Sequence, residues 1–462
     1  MQSEITLIST PQKLTRYPLG SLRELWAISL PLMISLFSGS VMLFMDRLLL
    51  AQASIHCLNA CTNAGILAAA IQFPFISTTG IAEIFVGQYN GAGKKDMLGE
   101  PVWQMLWLSL FTTVLFVPLG LFAGPYIFKD PAYRDLENQY FKWILLFGPF
   151  FCLATSLTTF YIGQGRVKFV TVVVVLANII NVALDILLIF GWPPYIPALG
   201  ISGAAIATGI SQTFQCVILF AAFMNKKNRT EHGTSRWMLN FKSMWRCLAI
   251  GLPNAVAHAL EIFGWWIFFR MMTALGHEYI TVVAVAQSIF FLFTFITEAV
   301  SKGASAIAAN LIGAHRWDLV WKLLRSGLRF YIQVFLVLGL VLVVYPDPLI
   351  HWFLPETPYG ENSHLIRLVK SACIWVWIFF LFDGITWLVV GLLTAAGDTR
   401  FVMKVAGLNV WLFALIPIYF FNVYLGHTAD VAWIITAFYG FMNAATFLFR
   451  FRTEKWRELR IT

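Results

Sequence analysis

Four carboxylates stand in stretches of sequence that are otherwise apolar: Asp46 in MLFMDRLLLA, Asp185 in NIINVALDILLIFG, Glu261 in AHALEIFGWW and Asp383 in IFFLFDGITWL. Burying an ionisable side chain in such a stretch costs on the order of several kcal/mol, so by default it faces a cavity or a partner. Asn181 precedes Asp185 by four residues, which puts both on one helix face. Asp185 lies about six residues, roughly 9 Å, from the end of its helix, and Asp46 sits at a similar depth. Thr208, about nine residues into the next apolar run, comes to nearly the same level. Carboxylate, amide and hydroxyl oxygens with no cation among them suit a proton or Na+. Two acids in one apolar site cannot both ionise cheaply, so the pair reads as a proton-sensitive switch. The plainer alternative for Asp46 is a helix cap or an interfacial pair with Arg47.

Glu261 and Asp383 carry as strong a signal as Asp185, and the remaining polar residues carry weaker ones. Glu261 and Asp383 sit near mid-run with no adjacent base, and a buried pair between Glu261 and His258, one turn away, is their simplest structural alternative. Glu298 and Lys302 are four apart and read as an internal ion pair. Glu83 is a candidate gate or interface residue. Trp265, Trp266, Trp375 and Trp377 could stack on an aromatic or cationic molecule, although the 18 Trp of the chain also serve packing and interfacial anchoring. The six cysteines are scattered, and only Cys57 and Cys61 are close; without a His at ligand spacing, neither a disulfide nor a transition-metal site is expected. GQYNGAGKK lacks the spacing of a phosphate loop and follows a helix, not a strand. No nucleophile–base constellation is present, so an enzyme is not expected.

The elements that must hold these residues follow from composition. The 462-residue chain is 59% hydrophobic and 12% charged, with a mean hydropathy of +0.74. A water-soluble domain carries about a quarter charged residues, so the soluble classes are excluded. Apolar runs long enough to cross a hydrocarbon core of about 30 Å recur along nearly the whole length. They must be helices, because period-2 alternation is absent. We place twelve spans at roughly 25–50, 60–86, 101–125, 140–163, 169–191, 199–224, 246–271, 280–311, 320–345, 366–395, 401–423 and 430–449.

Charge orients the bundle. The 32 Lys and Arg outnumber the 23 Asp and Glu, and they concentrate in segments such as Lys94–Lys95, Arg166–Lys168, Lys226–Arg229 and the tail from Arg450 to Arg460. Both termini are therefore expected in the cytoplasm. This asymmetry explains the basic pI without nucleic-acid binding, and an N-terminus that is polar up to Arg23 gives no cleavable signal peptide.

The sequence also repeats. AISLPLM at 27–33 matches AIGLPNA at 249–255, with Pro31 and Pro253 222 residues apart. Gly91-Ala92 and Gly313-Ala314 have the same separation, and GQGRVKF at 163–169 matches AAGDTRF at 395–401 with an offset of 232. Six spans return the chain to the same face, so the halves are parallel repeats about an axis along the membrane normal. The expected organisation is a cytoplasmic segment 1–24, an N-lobe 25–224, a linker 225–245, a C-lobe 246–449 and a basic tail 450–462.

LPLMISLFSGSVMLFMDRLLLA, FVGQYNGAG, NIINVALDILLIFG and LGISGAAIAT resemble the MATE (multidrug and toxic compound extrusion) family, over the chain from about Leu25 to the last span. GLPNAVAHALE and DGITWLVVGLLTAAGD resemble its NorM-type bacterial branch. The resemblance implies an all-α, V-shaped pair of six-helix lobes in a bacterial inner membrane. Such a protein expels organic cations and other amphipathic compounds in exchange for inward H+ or Na+. It also implies an N-lobe cation site at Asp46, Asn181, Asp185 and Thr208, and a C-lobe site at Glu261 and Asp383. Glu83, His258, Glu298 and Lys302 are candidate cavity or gate residues. The expected partners are a small-molecule substrate and the lipid bilayer, the expected state is a monomer, and no cofactor is expected beyond the coupling ion.

The chain departs from the family pattern at RLLLAQAS after Asp46, at AQASIHCLNACTN over 51–63, and at Glu298 and Lys302. These departures leave a specific metabolite exporter, or a flippase for lipid-linked precursors, as the alternative. A flippase would need a cationic cavity for its pyrophosphate, whereas the buried charges here are mostly acidic.

Overall fold

A computed structural model describes residues 13–273, 277–353, 363–427 and 429–459. Residues 1–12 of the N-terminal segment, 354–362 of the 346–365 loop and 460–462 of the basic tail, Arg460 included, lie outside the described residues. Among those described, twelve helices are long and apolar enough to cross a membrane. They are α1 (Leu22–Ala53), α2 (Ile55–Gly91), α3 (Lys95–Ile127), α4 (Arg134–Gly163), α5 (Val167–Phe190), α6 (Ile201–Phe223), α7 (Phe241–Met272), α8 (Val282–Gly313), α9 (Trp317–Val344), α10 (Ile366–Ala395), α11 (Thr399–Tyr424) and α12 (Val431–Arg452). Each of the twelve expected spans is found.

Several helices run beyond the apolar stretch that marks them, because polar caps carry the first turn. Ser21 Oγ accepts from the Glu24 N–H at 3.2 Å, and Glu24 Oε2 accepts from the Gly20 N–H at 2.6 Å. This reciprocal arrangement satisfies donors a helix start would otherwise orphan. Ser54 Oγ accepts from the His56 N–H at 3.2 Å and starts α2 five residues before its apolar run. Hydropathy does not register such turns.

Bends also have local causes. In α2 the regular ladder stops at Thr79 and resumes at Ala82. Pro74 lacks a donor, while Thr78 and Thr79 hydroxyls donate back to the carbonyls of Pro74 (2.7 Å) and Ile76 (2.9 Å); back-bonding of this kind bends helices. Wide π-type turns interrupt α3 after Pro118 and flank Pro417 in α11, a recognised cause of helix irregularity.

The core is fused at one end and divided at the other. At the face where the described ends of the chain, Leu14 and Trp456, pack, hereafter the terminal face, one apolar cluster takes side chains from all twelve helices, among them Leu25, Tyr89, Phe160, Ile307, Leu392 and Phe451. Toward the opposite face the core separates. One cluster belongs to the second half, around Phe268, Ile289 and Phe380, and two belong to the first, around Phe116 with Phe141 and around Leu50 with Ile201.

Symmetric close approaches fuse the terminal end. Gly91 lies against the Asn310 backbone and Gly313 against the Gln88 backbone, with no room for a Cβ at either. Gln88 Nε2 donates to the Ala395 carbonyl at 2.8 Å, and Asn310 Nδ2 donates to the Gly163 carbonyl at 2.8 Å. Asn90 Nδ2 adds a bond to Asn310 Oδ1 at 2.7 Å. Gln88 and Asn310 are 222 residues apart and Gly163 and Ala395 are 232 apart, the offsets of the sequence repeat. Farther in, Ser29 of α1 packs on Gly303 of α8, and its counterpart Gly251 of α7 packs on Ile81 of α2.

The segment between the halves is strapped to α3. The Trp103 indole donates to the Thr234 carbonyl and the Trp107 indole to the Trp237 carbonyl, both at 2.8 Å. His232 is buried beneath this strap, with Nδ1 3.1 Å from Asn228 Oδ1. Burial, and then the neighbouring Arg166, hold its imidazole below the ordinary value. The strapped state therefore binds fewer protons than the free chain. Its stability is complete above the unfolded pKa of about 6.5 and declines as pH falls below it. Limited proteolysis within 225–245 is expected to accelerate on acidification from about pH 7.5 to 5.5, and His232→Gln to flatten that dependence. A parent rate independent of pH would show that His232 does not titrate against the strap.

Candidate functional site

The first half encloses a polar cluster between α1, α5 and α6. Asp46, Asn181, Asp185 and Thr208 are all buried and come together. With its amide turned as its neighbours require, Asn181 donates to Asp46 Oδ1 at 2.9 Å and Asp185 Oδ2 at 3.2 Å, and accepts from the Thr208 N–H at 3.2 Å. The two carboxyl groups are themselves within hydrogen-bonding reach of each other. Asp185 Oδ1 has no hydrogen-bond partner among the described residues. The Thr208 hydroxyl donates to the Ala204 carbonyl at 3.0 Å, which leaves its oxygen lone pairs free to accept. Asp46 is neither a cap nor an ion-pair partner of Arg47 among the described residues: it lies inside α1, and its bond goes to Asn181. Tyr140 of α4 and Cys61 of α2 lie against each other beside the two aspartates. The sequence reading missed this role for them, because neither residue is unusual in an apolar helix.

The second acidic pair is different in kind, since it faces open space. Glu261 of α7 and Asp383 of α10 line a cavity of about 570 Å³ walled almost wholly by the second half, with Ile66 and Phe73 of the first half at its edge. They are near enough to interact electrostatically, Asp383 lies beside the Trp387 side chain, and Asp383 Oδ2 is unpartnered among the described residues. Trp265, Trp266 and Trp375 line this cavity as the aromatic reading required, together with Trp387 and Trp433, which that reading passed over. Trp377 does not belong with them. Its indole donates to the Phe335 carbonyl at 2.8 Å and its ring stacks on Phe335 at 4.0 Å, so it serves packing.

His258 does not pair with Glu261. Its ring stacks on Trp387 at 5.2 Å and meets Phe73 edge-on at 6.1 Å. Lys302 and Glu298 form the expected ion pair at 2.8 Å. Glu83, Glu298, Lys302 and His258 line a second cavity of about 350 Å³, adjoining the first on the side of the terminal face. The candidates thus gather into one enclosed cluster and one continuous acidic, aromatic cleft. An enclosed cluster of two acids, an amide and a hydroxyl can take up a proton or a small cation. A cleft with aromatic walls and few convergent charges can hold an organic molecule.

Known proteins share this architecture. The MatE family profile matches residues 31–187 and 253–420, segments that begin at the repeat-related Pro31 and Pro253. The chain is similar to a probable multidrug resistance protein NorM of Thermotoga maritima, with 22% identity over 76% of this chain and 75% of that one. It is also similar to the uncharacterized transporter YisQ of Bacillus subtilis, with 20% identity over 88% of each. Among solved structures, the outward-facing conformation of a multidrug resistance MATE transporter of the MOP superfamily superposes with a TM-score of 0.83 at 16% identity, over 98% of this chain and all of that one. The twelve spans and the bacterial relatives make this a multi-pass protein of the bacterial inner membrane, and its relatives are transporters, not enzymes. With the family profile covering most of the chain in two repeat-related segments, the protein belongs to the MATE family of multidrug efflux transporters.

Proposed function

We propose that the protein is an antiporter that exports organic cationic or amphipathic compounds in exchange for inward H+ or Na+, with 25–224 and 246–449 as its two moving bodies. The observation that carries this reading is the separation of two acidic sites. One is enclosed and built of carboxylate, amide and hydroxyl groups; the other lines an aromatic cleft sized for an organic molecule. The terminal face is taken as cytoplasmic because Lys and Arg concentrate there. The fused core closes the cleft on that side, so this conformation is the one that releases substrate outward.

The linkage between the sites runs through α1. That helix carries Asp46 at the ion cluster and Ser29 against Gly303 of the other half. An ion entering between Asp46 and Asp185 relieves the repulsion of two buried acids. Asn181, which bridges them, then redistributes its bonds, and the packing of α1 on α5 changes. A shift of α1 loosens the contact with α8, and the halves rock to expose the cleft to the cytoplasm. The protein acts as a monomer in this scheme, because both sites and both bodies lie in one chain.

A lipid-linked flippase is disfavoured by charge. Glu83, Glu261, Glu298 and Asp383 face the cleft against Lys302, and a pyrophosphate would be repelled there. The test is export of a fluorescent organic cation from proteoliposomes under an imposed H+ gradient and, separately, a Na+ gradient. One gradient should drive export and collapse of that gradient should stop it. A well-folded protein that exports no cation under either would overturn the proposal and favour a specific metabolite.

A further inference from the structure

Two adjoining chambers are present, one between the halves and one walled almost wholly by the second half. The one remote from the terminal face holds Glu261 and Asp383, and the nearer one holds Glu83 and Lys302. Phe73, His258 and Trp387 line both and form an aromatic waist between them. Glu298 also lines both. His258 is about one turn from Glu261, Trp387 about one turn from Asp383, and Lys302 about one turn from Glu298. Glu298 therefore stands at the waist, with the Glu261–Asp383 pair on one side of it and Lys302 on the other.

Among the described residues lining these chambers, Lys302 is the one Lys or Arg. It bonds Glu298 at 2.8 Å, yet the two side chains are 46% and 45% exposed. The pair thus faces cavity space, where a ligand that enters the chamber can reach it. Glu83 lies on α2 across the nearer chamber, within electrostatic reach of Lys302, and its Oε1 has no hydrogen-bond partner among the described residues. The Lys302 ammonium therefore has an acid on each half available to it.

Resting on the cation-export reading above, we propose that the cleft prefers elongated dications: one charge sits against Glu261 and Asp383, and the second takes Glu298 while Lys302 turns to Glu83. Lys302 is then a built-in stand-in for the second charge. It occupies Glu298 while a monocation is bound and gives it up to a dication, so that no acid at the waist is left unpaired. The waist accommodates the spacer, since an apolar chain joining two cations crosses between Phe73 and the His258–Trp387 stack. Cations and aromatic faces attract there as well.

The test compares hexamethonium, a dication, with hexyltrimethylammonium, its monocationic counterpart, by quenching of tryptophan fluorescence in the purified protein. Binding needs no ion gradient, so the result does not depend on whether the protein is an antiporter. The parent should bind hexamethonium about tenfold more tightly. Glu298→Gln should weaken hexamethonium by about tenfold and change the monocation by less than about twofold. Lys302→Met should strengthen hexamethonium, and Lys302→Arg should restore the parent preference. The double variant Glu298→Gln with Lys302→Met removes the whole ion pair, guards against a single variant that fails to fold, and should also lose the preference. Equal affinities in the parent, or a dication preference that survives in the double variant, would overturn the proposal. Intact dication preference with no gradient-driven export would overturn the antiport reading and leave this one standing.

Discussion

Asp185→Asn is expected to abolish gradient-driven export, lowering its rate by about 100-fold or more, while substrate affinity stays within about twofold. The reason lies in what the cluster must do. Asp185 and Asp46 are buried acids bridged by one amide, and Asp185 Oδ1 is unpartnered among the described residues. An Asn at 185 fills the same volume and can bond to Asn181, so the helices still pack. It cannot take up a proton or present a charge to Na+, so the ion no longer distinguishes the two conformations, and an ion without differential affinity shifts nothing. Asp46→Asn should behave in the same way. Glu261→Gln and Asp383→Asn should instead raise the substrate concentration needed for half-maximal export, because they line the cleft. Initial rates under an imposed gradient, set beside equilibrium substrate binding, separate the two patterns. Coupling that survives Asp185→Asn but fails with Glu261→Gln would move the ion site to the second half.

Gly91→Leu should be almost as damaging, and for a mechanical reason. A side chain at Gly91 meets the backbone of Asn310, and one at Gly313 meets that of Gln88. Both neighbours are helix backbone, which cannot turn aside as a flexible side chain can. Overpacking of this kind costs about 1–3 kcal/mol in a well-packed core, enough to displace a two-state equilibrium by about fivefold to 150-fold. The closed terminal end is expected to stay open and export to fall by at least about fivefold. Ser305→Cys, placed in the nearer chamber, reports the change. It should react with a membrane-impermeant thiol reagent from the terminal side much faster when Gly91→Leu is also present. Gly313→Leu should reproduce the effect, because the contact is symmetric. Parent-like labelling with parent-like export would mean that this end does not govern access.

The membrane class, the twelve spans and the two-fold repeat were legible in the sequence because each depends on near neighbours or on periodicity. A run of apolar residues must form a helix in lipid, and offsets of 222 and 232 are visible without a structure. The grouping of Asn181 with Asp185 was legible for the same reason, since residues four apart share a helix face. Depth counting brought Asp46 and Thr208 to the same level, and the structure places them around Asn181.

Tertiary structure decided what rotation about each helix axis controls. Hydropathy fixes how far along a helix a residue lies but says little about which way it points. Trp375 faces the cleft, whereas Trp377, two residues on, stacks on Phe335. His258 lies one turn from Glu261 yet gives its face to Trp387. Tyr140 and Cys61 join the aspartates from helices that carry no acid of that cluster, and only the packing of α2 and α4 on α1 and α5 brings them there. The same holds for the fused terminal core and the divided core opposite it. The repeat in the sequence dictates that the halves be alike, but whether they touch at one end, the other or both depends on where small residues such as Gly91 and Gly313 let backbones approach. That choice is made by packing between segments more than two hundred residues apart, which no local pattern records.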